Sequence, residues 1–413
     1  MYPVEPGDPR LDRPRPEHRH LFRLAHSING FVPVSGHKAE LLADADSMID
    51  RLVADIDAAR ETVHLLFYIW LADATGLKVA EAAMRAARRG VNVRVLADDL
   101  GSRRFIRSPH WQALREAGVD AARALPIRNA LLHPIIGRLD LRNHRKLMIV
   151  DNRVAYCGSQ NCADPEFRIK PRFAPWVDIM VRLEGPIVGQ NERLFMQDWM
   201  VHQDGSIAGF LDEKTLVSAP APEPDDPEDP GGPLAQVIGT GPTARATAMS
   251  ELFEVLIHAA RRELVITTPY FVPTDAILSA LSAAGYRGVR TILILPARND
   301  SRVVSAASRS NYPELLAAGV RILEFPDGLL HAKTLTLDGE IALLGSANLD
   351  RRSFDLNYEN NILFEDTPLT GAIRARQESY IAASREITLA EVDGWSPARR
   401  LWYNAVGMIG PVL

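Results

Sequence analysis

His144-Arg145-Lys146-Leu147-Met148-Ile149-Val150-Asp151 returns later in the chain as His331-Ala332-Lys333-Thr334-Leu335-Thr336-Leu337-Asp338. Both stretches read His-x-Lys-x4-Asp. Each is followed, fourteen residues after its histidine, by Gly-Ser-x-Asn: Gly158-Ser159-Gln160-Asn161 and Gly345-Ser346-Ala347-Asn348. One histidine and lysine on an exposed strand face are ordinarily solvated, but five chemistry-bearing positions repeated at one spacing point to two halves of one site.

The repeat extends outward from the motifs. Ala58-Ala59-Arg60 leads into the β-rich run 62–70, as Ala259-Ala260-Arg261 leads into 264–272. Arg89-Gly90-Val91 precedes a strand at 93–97, and Arg287-Gly288-Val289 one at 291–295. Ala117-Gly118-Val119 and Ala318-Gly319-Val320 stand ahead of the two histidine motifs. Helix and strand alternate, which is the pattern of an α/β fold. Each half is about 180 residues long, far beyond a solenoid repeat, so the reading is a domain duplication. It predicts a flexible tail over 1–36, a first lobe over 37–218, a Pro- and acid-rich linker over 219–234 (APAPEPDDPEDPGGP at its heart) and a second lobe over 235–413.

Composition narrows the function. A chain of 413 residues, 46% hydrophobic and 24% charged, is large enough for two cores. Its net charge of -5 argues against nucleic acid as partner. Two cysteines, Cys157 and Cys162, are too few for a disulfide framework and suit small core positions. The N-terminal stretch is Pro-rich and charged, unlike a signal peptide, and no run of about 18 apolar residues occurs, so membrane contact is expected to be peripheral. Two segments suit that contact: 125–141 (LPIRNALLHPIIGRLDL), which mixes Leu, Ile and Pro with Arg, and the C-terminus from Arg399-Arg400-Leu401-Trp402-Tyr403 onward, which combines cations, aromatics and aliphatics.

Spacing suggests local geometry. Asp151-Asn152 and Asp338-Gly339 are hairpin signals between β-branched runs. With each pair as a two-residue loop, His144 falls opposite Ser159 and His331 opposite Ser346, while Cys157 falls opposite Lys146. By parity, His144, Lys146, Ser159 and Asn161 share one face, as do His331, Lys333, Ser346 and Asn348. Asp151 and Asp338 complete the six-residue motif set, and their position marks them as turn builders. Two such clusters supply two ammonium groups to stabilise non-bridging phosphate oxygens and two imidazoles for nucleophile and acid, with no metal or other cofactor. Asp178 and Glu359 are candidates to fix the imidazole tautomers. Asp98-Asp99, at a strand end, is a further acidic pair.

These residues resemble the phospholipase D superfamily, whose members carry paired His-x-Lys-x4-Asp motifs followed by Gly-Ser-x-Asn. Within it, Phe67-Tyr68-Ile69-Trp70, Arg142-Asn143-His144-Arg145-Lys146, Thr268-Pro269-Tyr270-Phe271-Val272-Pro273 and 345–354 (GSANLDRRSF) are similar to bacterial cardiolipin synthases. The resemblance runs from about Asn29 to the C-terminus. It implies two α/β lobes related by a pseudo-twofold axis with the active site between them. It implies phosphatidyl transfer between two phosphatidylglycerol molecules through a phosphohistidine, giving cardiolipin and glycerol. His144 would be the nucleophile and His331 the acid and then base, with Glu359 on His144 and Asp178 on His331. The alternative is a phospholipase D-type hydrolase of phospholipid or, less fittingly, nucleic acid. The expected setting is a monomer held peripherally on the cytoplasmic face of the bacterial inner membrane.

Overall fold

The computed structural model describes residues 8–127, 140–167, 169–203, 233–242, 245 and 247–409. In the first lobe seven strands lie in the order Lys38–Leu41, Met180–Glu184, Val154–Gly158, Leu147–Val150, Thr62–Phe67, Asn92–Asp98 and Asp120–Ala124. The last three run parallel, joined through the helices Ala74–Arg88 and Pro109–Glu116; the others are antiparallel. The second lobe repeats this order with Leu234–Thr240, Asn357–Glu365, Ile341–Gly345, Thr334–Leu337, Glu263–Thr267, Arg290–Pro296 and Arg321–Phe325, and adds Arg385–Ile387 at the edge. The duplication read from sequence is thus a duplication of topology. The linker 219–234 lies almost wholly outside the described residues, as does 128–139 of the first expected membrane segment.

The strands nearest each lobe's centre are apolar on both faces because both faces are covered. In the first lobe Leu65, Phe67, Val93 and Val95 meet the helices Ala45–Ala58 and Ala74–Arg88. In the second, Leu264, Ile266 and Leu293 meet Ala248–Ala259 and Asp275–Tyr286. A third core joins the lobes, drawing Leu147, Ile149, Phe195 and Trp199 together with Val237, Ile292, Ile362 and Phe364. Each lobe also lends the other a short strand. Arg142–Asn143 pairs in parallel with Asn357 and Tyr358, and Trp176–Val177 pairs in parallel with Leu329–Leu330. These exchanges bring both histidine motifs to the seam. Among the described residues no helix is long and apolar enough to cross a membrane.

Two expectations are corrected. The stretch 1–36 is not simply a tail: Arg19–Asn29 is a helix whose Leu21, Phe22, Ala25 and Ile28 are buried in the second lobe's core. Those four sit at helical spacing, a periodicity the surrounding Pro, Arg and Asp content obscures. The hairpins are also one residue out of the predicted register. Leu147 faces Cys157 and Val150 faces Val154; Thr334 faces Leu344 and Leu337 faces Ile341. Each loop holds three residues, Asp151-Asn152-Arg153 and Asp338-Gly339-Glu340. Its first two residues take left-handed φ, 51° and 44° in the first loop, 52° and 76° in the second. Cys157 is therefore buried opposite Leu147 and not Lys146, and burial pushes its thiol up to about 12, as expected of a packing residue.

Candidate active site

His144 and Lys146 follow the strand Arg142–Asn143, and the His144 N–H donates to the Tyr358 carbonyl at 2.9 Å. His331 and Lys333 follow Leu329–Leu330, and the His331 N–H donates to the Val177 carbonyl at 2.8 Å. Each histidine is thus presented on a strand borrowed by the opposite lobe, and its carboxylate partner comes from there. Glu359 accepts from His144 Nδ1 at 3.0 Å, and Asp178 accepts from His331 Nδ1 at 2.6 Å. Burial pushes the Asp178 carboxyl upward, but the His331 and Lys333 charges outweigh it and hold the group at about 2. In Glu359 burial is likewise overcome, by His144 and Lys146. Both carboxylates are therefore ionised acceptors. Each Nδ1 must carry the proton, which leaves each Nε2 with its lone pair free.

The serines do not face the histidines of their own hairpins. Ser159 Oγ donates to Asp178 Oδ1 at 2.6 Å and Ser346 Oγ donates to Glu359, so each serine buttresses the carboxylate that serves the other lobe's histidine. Each hydroxyl in turn accepts from a backbone N–H, Ile179 at 3.0 Å and Asn360 at 2.9 Å. The glycine before each serine makes this approach possible. A Cβ on Gly158 would lie 2.2 Å from the Ile179 carbonyl oxygen, and one on Gly345 2.3 Å from that of Asn360. Asn357 Nδ2 adds a 3.0 Å bond to Glu359. Asn161 Oδ1 accepts from the Ile69 N–H at 3.1 Å, while its Nδ2 is buried with no protein partner; the Asn348 side-chain oxygen is likewise unpartnered.

The lysines complete the centre. Lys146 and Lys333 are 0% and 3% exposed, beside histidines at 7% and 2%, so bulk water is nearly excluded. Each ammonium gives one N–H to the carbonyl of its own motif histidine, at 2.6 Å and 2.7 Å, and keeps two for a ligand. Desolvation lowers Lys146 to about 8 and Lys333 to about 7. It also lowers both imidazoles to about 4, with the lysines adding to the effect. Two aromatic rings pack on the histidines: Tyr68 on His144 with centroids 4.8 Å apart, and Trp176 on His331 at 4.4 Å. The string around Tyr68 reads as family resemblance, yet nothing in the spacing of Tyr68 or Trp176 marked either as a site residue.

Asp151 and Asp338 stand at the far ends of the hairpins. Asp151 accepts from the backbone N–H groups of Arg60, Glu61 and Thr62; Asp338 accepts from Arg261, Arg262 and Glu263. Each fastens its turn to the start of the neighbouring strand. Loss of a carboxylate serving three donors costs about 1–3 kcal/mol. We therefore expect Asp151→Asn and Asp338→Asn to lower Tm while kcat per folded molecule stays within about threefold of wild type; a collapse of kcat in a fully folded variant would bring the aspartates back into the chemistry. Asp98 is similarly occupied, accepting from Leu100, Gly101 and Asn143, and burial raises its carboxyl to about 6. Asp99 accepts from the Ile127 N–H. Among the described residues no cluster of His, Cys, Asp and Glu has the arrangement of a metal site.

A duplicated α/β fold whose halves each carry this motif is the architecture of the phospholipase D superfamily. The family model described as "Cardiolipin synthase, PLD-like domain" matches residues 52–199 and 254–380, and the chain belongs to that family. It is 39% identical to cardiolipin synthase A of Erwinia tasmaniensis over 94% of this chain and 77% of that one. Against cardiolipin synthase A of Serratia proteamaculans it is 37% identical with the same coverage. Among solved structures, phosphatidylserine synthase of Haemophilus influenzae Rd KW20 superposes with a TM-score of 0.69 at 15% identity, covering 95% of this chain and 100% of that one, a likeness of fold. The chain is a phosphatidyltransferase of the phospholipase D superfamily.

Proposed function

We propose that the enzyme transfers a phosphatidyl group from one phosphatidylglycerol to another, giving cardiolipin and glycerol. The observation that carries this is the crossed pairing of two buried histidines with carboxylates of opposite lobes, beside two buried lysines. In the first step His144 Nε2 attacks phosphorus, the bond from phosphorus to the glycerol oxygen breaks, and that oxygen takes a proton from His331. In the second, His331 takes the proton of a headgroup hydroxyl on another phosphatidylglycerol, that oxygen attacks phosphorus, and the P–N bond breaks to restore His144. Lys146 and Lys333 balance the negative charge on the non-bridging oxygens in both steps. A bound phosphodiester anion offsets the lysine charges that depress the imidazoles, which returns His331 toward a usable acid. Water exclusion favours an alcohol acceptor over hydrolysis.

The substrate implies a membrane surface, and the C-terminal helix Pro397–Ile409 suits one. Leu401, Trp402 and Met408 are 71%, 54% and 77% exposed on it, beside Arg399 and Arg400, while Val406 is buried against the second lobe. Aromatic, aliphatic and cationic side chains together fit the interface of an anionic bilayer. One experiment tests the whole reading: incubate the protein with phosphatidylglycerol vesicles, sediment them and resolve the lipids. Co-sedimentation with cardiolipin and glycerol formed supports the reading; phosphatidic acid as sole product makes the enzyme a hydrolase and overturns it.

The lysines and the two histidines set the pH dependence. Raising the pH through about 7 to 8 removes ammonium protons from the free enzyme and with them the charge that meets the phosphate, so kcat/KM falls on the alkaline side. Lowering the pH through about 4 protonates the nucleophile, so kcat/KM falls there too. Because the first step also needs the His331 proton, which the free enzyme loses through about 4, kcat/KM on a short-chain soluble phosphatidylglycerol is expected to decline above that pH and more steeply once the lysines deprotonate; a profile rising through the alkaline range contradicts the role given to the lysines.

A further inference from the structure

Between His144 and Lys146 stands Arg145, where the second half has Ala332. Arg145 is 5% exposed, and its guanidinium ties three elements together. Nη1 pairs with Asp198 on the helix Ile187–Gln203; Nη2 donates to the Thr240 carbonyl at 3.0 Å; Nε donates to the Glu359 carbonyl at 3.2 Å. Thr240 and Glu359 are cross-strand partners, so the fork grips the second lobe's sheet at the residue whose side chain orients His144. The second oxygen of Asp198 accepts from Asn143 Nδ2 at 2.8 Å. One carboxylate therefore holds the residues on both sides of His144. The second half-site has Leu330 and Ala332 at these positions and no such grip.

We propose that Arg145 and Asp198 are a positioning pair that sets the distance between His144 and Glu359 across the lobe seam. Burying an ion pair adds little net stability, because desolvation offsets most of the attraction. What the pair supplies is geometry. The guanidinium spans a carboxylate and two carbonyls that no lysine can span together. An error of about 1 Å at a reacting group costs on the order of 100-fold in rate. The two half-sites are thus unequal: the one around His144 is clamped by side chains, and the one around His331 is held by the backbone ladder of Trp176–Val177 with Leu329–Leu330.

The proposal rests on the catalytic reading of His144, and its test has an arm that does not. In wild-type protein the His144 Nδ1–H in its bond to Glu359 should give a downfield proton resonance that is missing in His144→Ala. In Arg145→Lys, which keeps the charge beside Asp198 but not the fork, that resonance should shift or broaden. In the activity arm, Arg145→Lys should lower kcat by about 10- to 100-fold with KM little changed. The double variant Arg145→Met/Asp198→Met, which removes both buried charges, should regain wild-type Tm without regaining kcat. An unchanged resonance in folded Arg145→Lys overturns the proposal, as does a double variant that regains kcat together with Tm. If wild type turns over no phosphatidylglycerol while the resonance behaves as described, the proposed function fails and the positioning pair stands.

Discussion

Replacing His144 or His331 by alanine is expected to lower turnover of phosphatidylglycerol by about four orders of magnitude or more, because nucleophile and proton donor have no substitute in a site from which water is nearly excluded. Both losses look alike in a steady-state assay, and a second substrate separates them. A p-nitrophenyl phosphodiester has a leaving group that needs no proton. With it, His331→Ala should still release one equivalent of p-nitrophenolate in a burst and stall as the phosphorylated enzyme, whereas His144→Ala should give no burst. The reverse pattern would exchange the two roles. Near-wild-type turnover in either variant would refute a shared site. Unchanged Tm and near-UV circular dichroism guard against trivial unfolding.

Neutralising the carboxylates should follow the crossed pairing. Glu359→Gln and Asp178→Asn are each expected to cost about 10³- to 10⁴-fold, since an amide oriented by the serine no longer holds Nδ1–H and the tautomer that frees Nε2 is lost. The informative outcome is which histidine each variant imitates. Asp178→Asn, although Asp178 lies in the first lobe, should behave as a defect at His331, with the p-nitrophenolate burst retained. Glu359→Gln should behave as a defect at His144, with the burst lost. If each carboxylate variant copied the histidine of its own lobe, the hydrogen bonds from His144 Nδ1 to Glu359 and from His331 Nδ1 to Asp178 would have no bearing on the chemistry.

Much of this was legible in the chain, and the remainder was lost for definable reasons. Alternating helices and strands, and their duplication, follow from periodicity and from punctuation by Gly118 and Gly319 or Gly90 and Gly288, all at left-handed φ. The motif aspartates announced themselves as turn residues through Asn152 and Gly339 beside them. The loop length did not, because a three-residue loop with its first two residues left-handed reads like a two-residue one, and a single step moves every cross-strand partner. Which lobe supplies which carboxylate lay beyond spacing altogether. Strand exchange between domains leaves no period; the family resemblance implied only the crossed pairing of Glu359 with His144 and Asp178 with His331. Arg145 carries no such signal, because a repeat marks the positions the halves share and not those, such as Arg145 and Ala332, where they differ.

The exchanged strands carry a consequence for the chain's history. Either half alone holds a histidine whose carboxylate sits in the other half, and contains a short strand whose partner is there too. A gene encoding one half could yield a working centre only by self-association about a twofold axis, each copy completing its neighbour. Fusion of two such copies makes that association permanent and frees the halves to diverge. In this chain the halves differ at the residue between the motif histidine and lysine, Arg145 in one and Ala332 in the other, so one half-site can change without its counterpart changing.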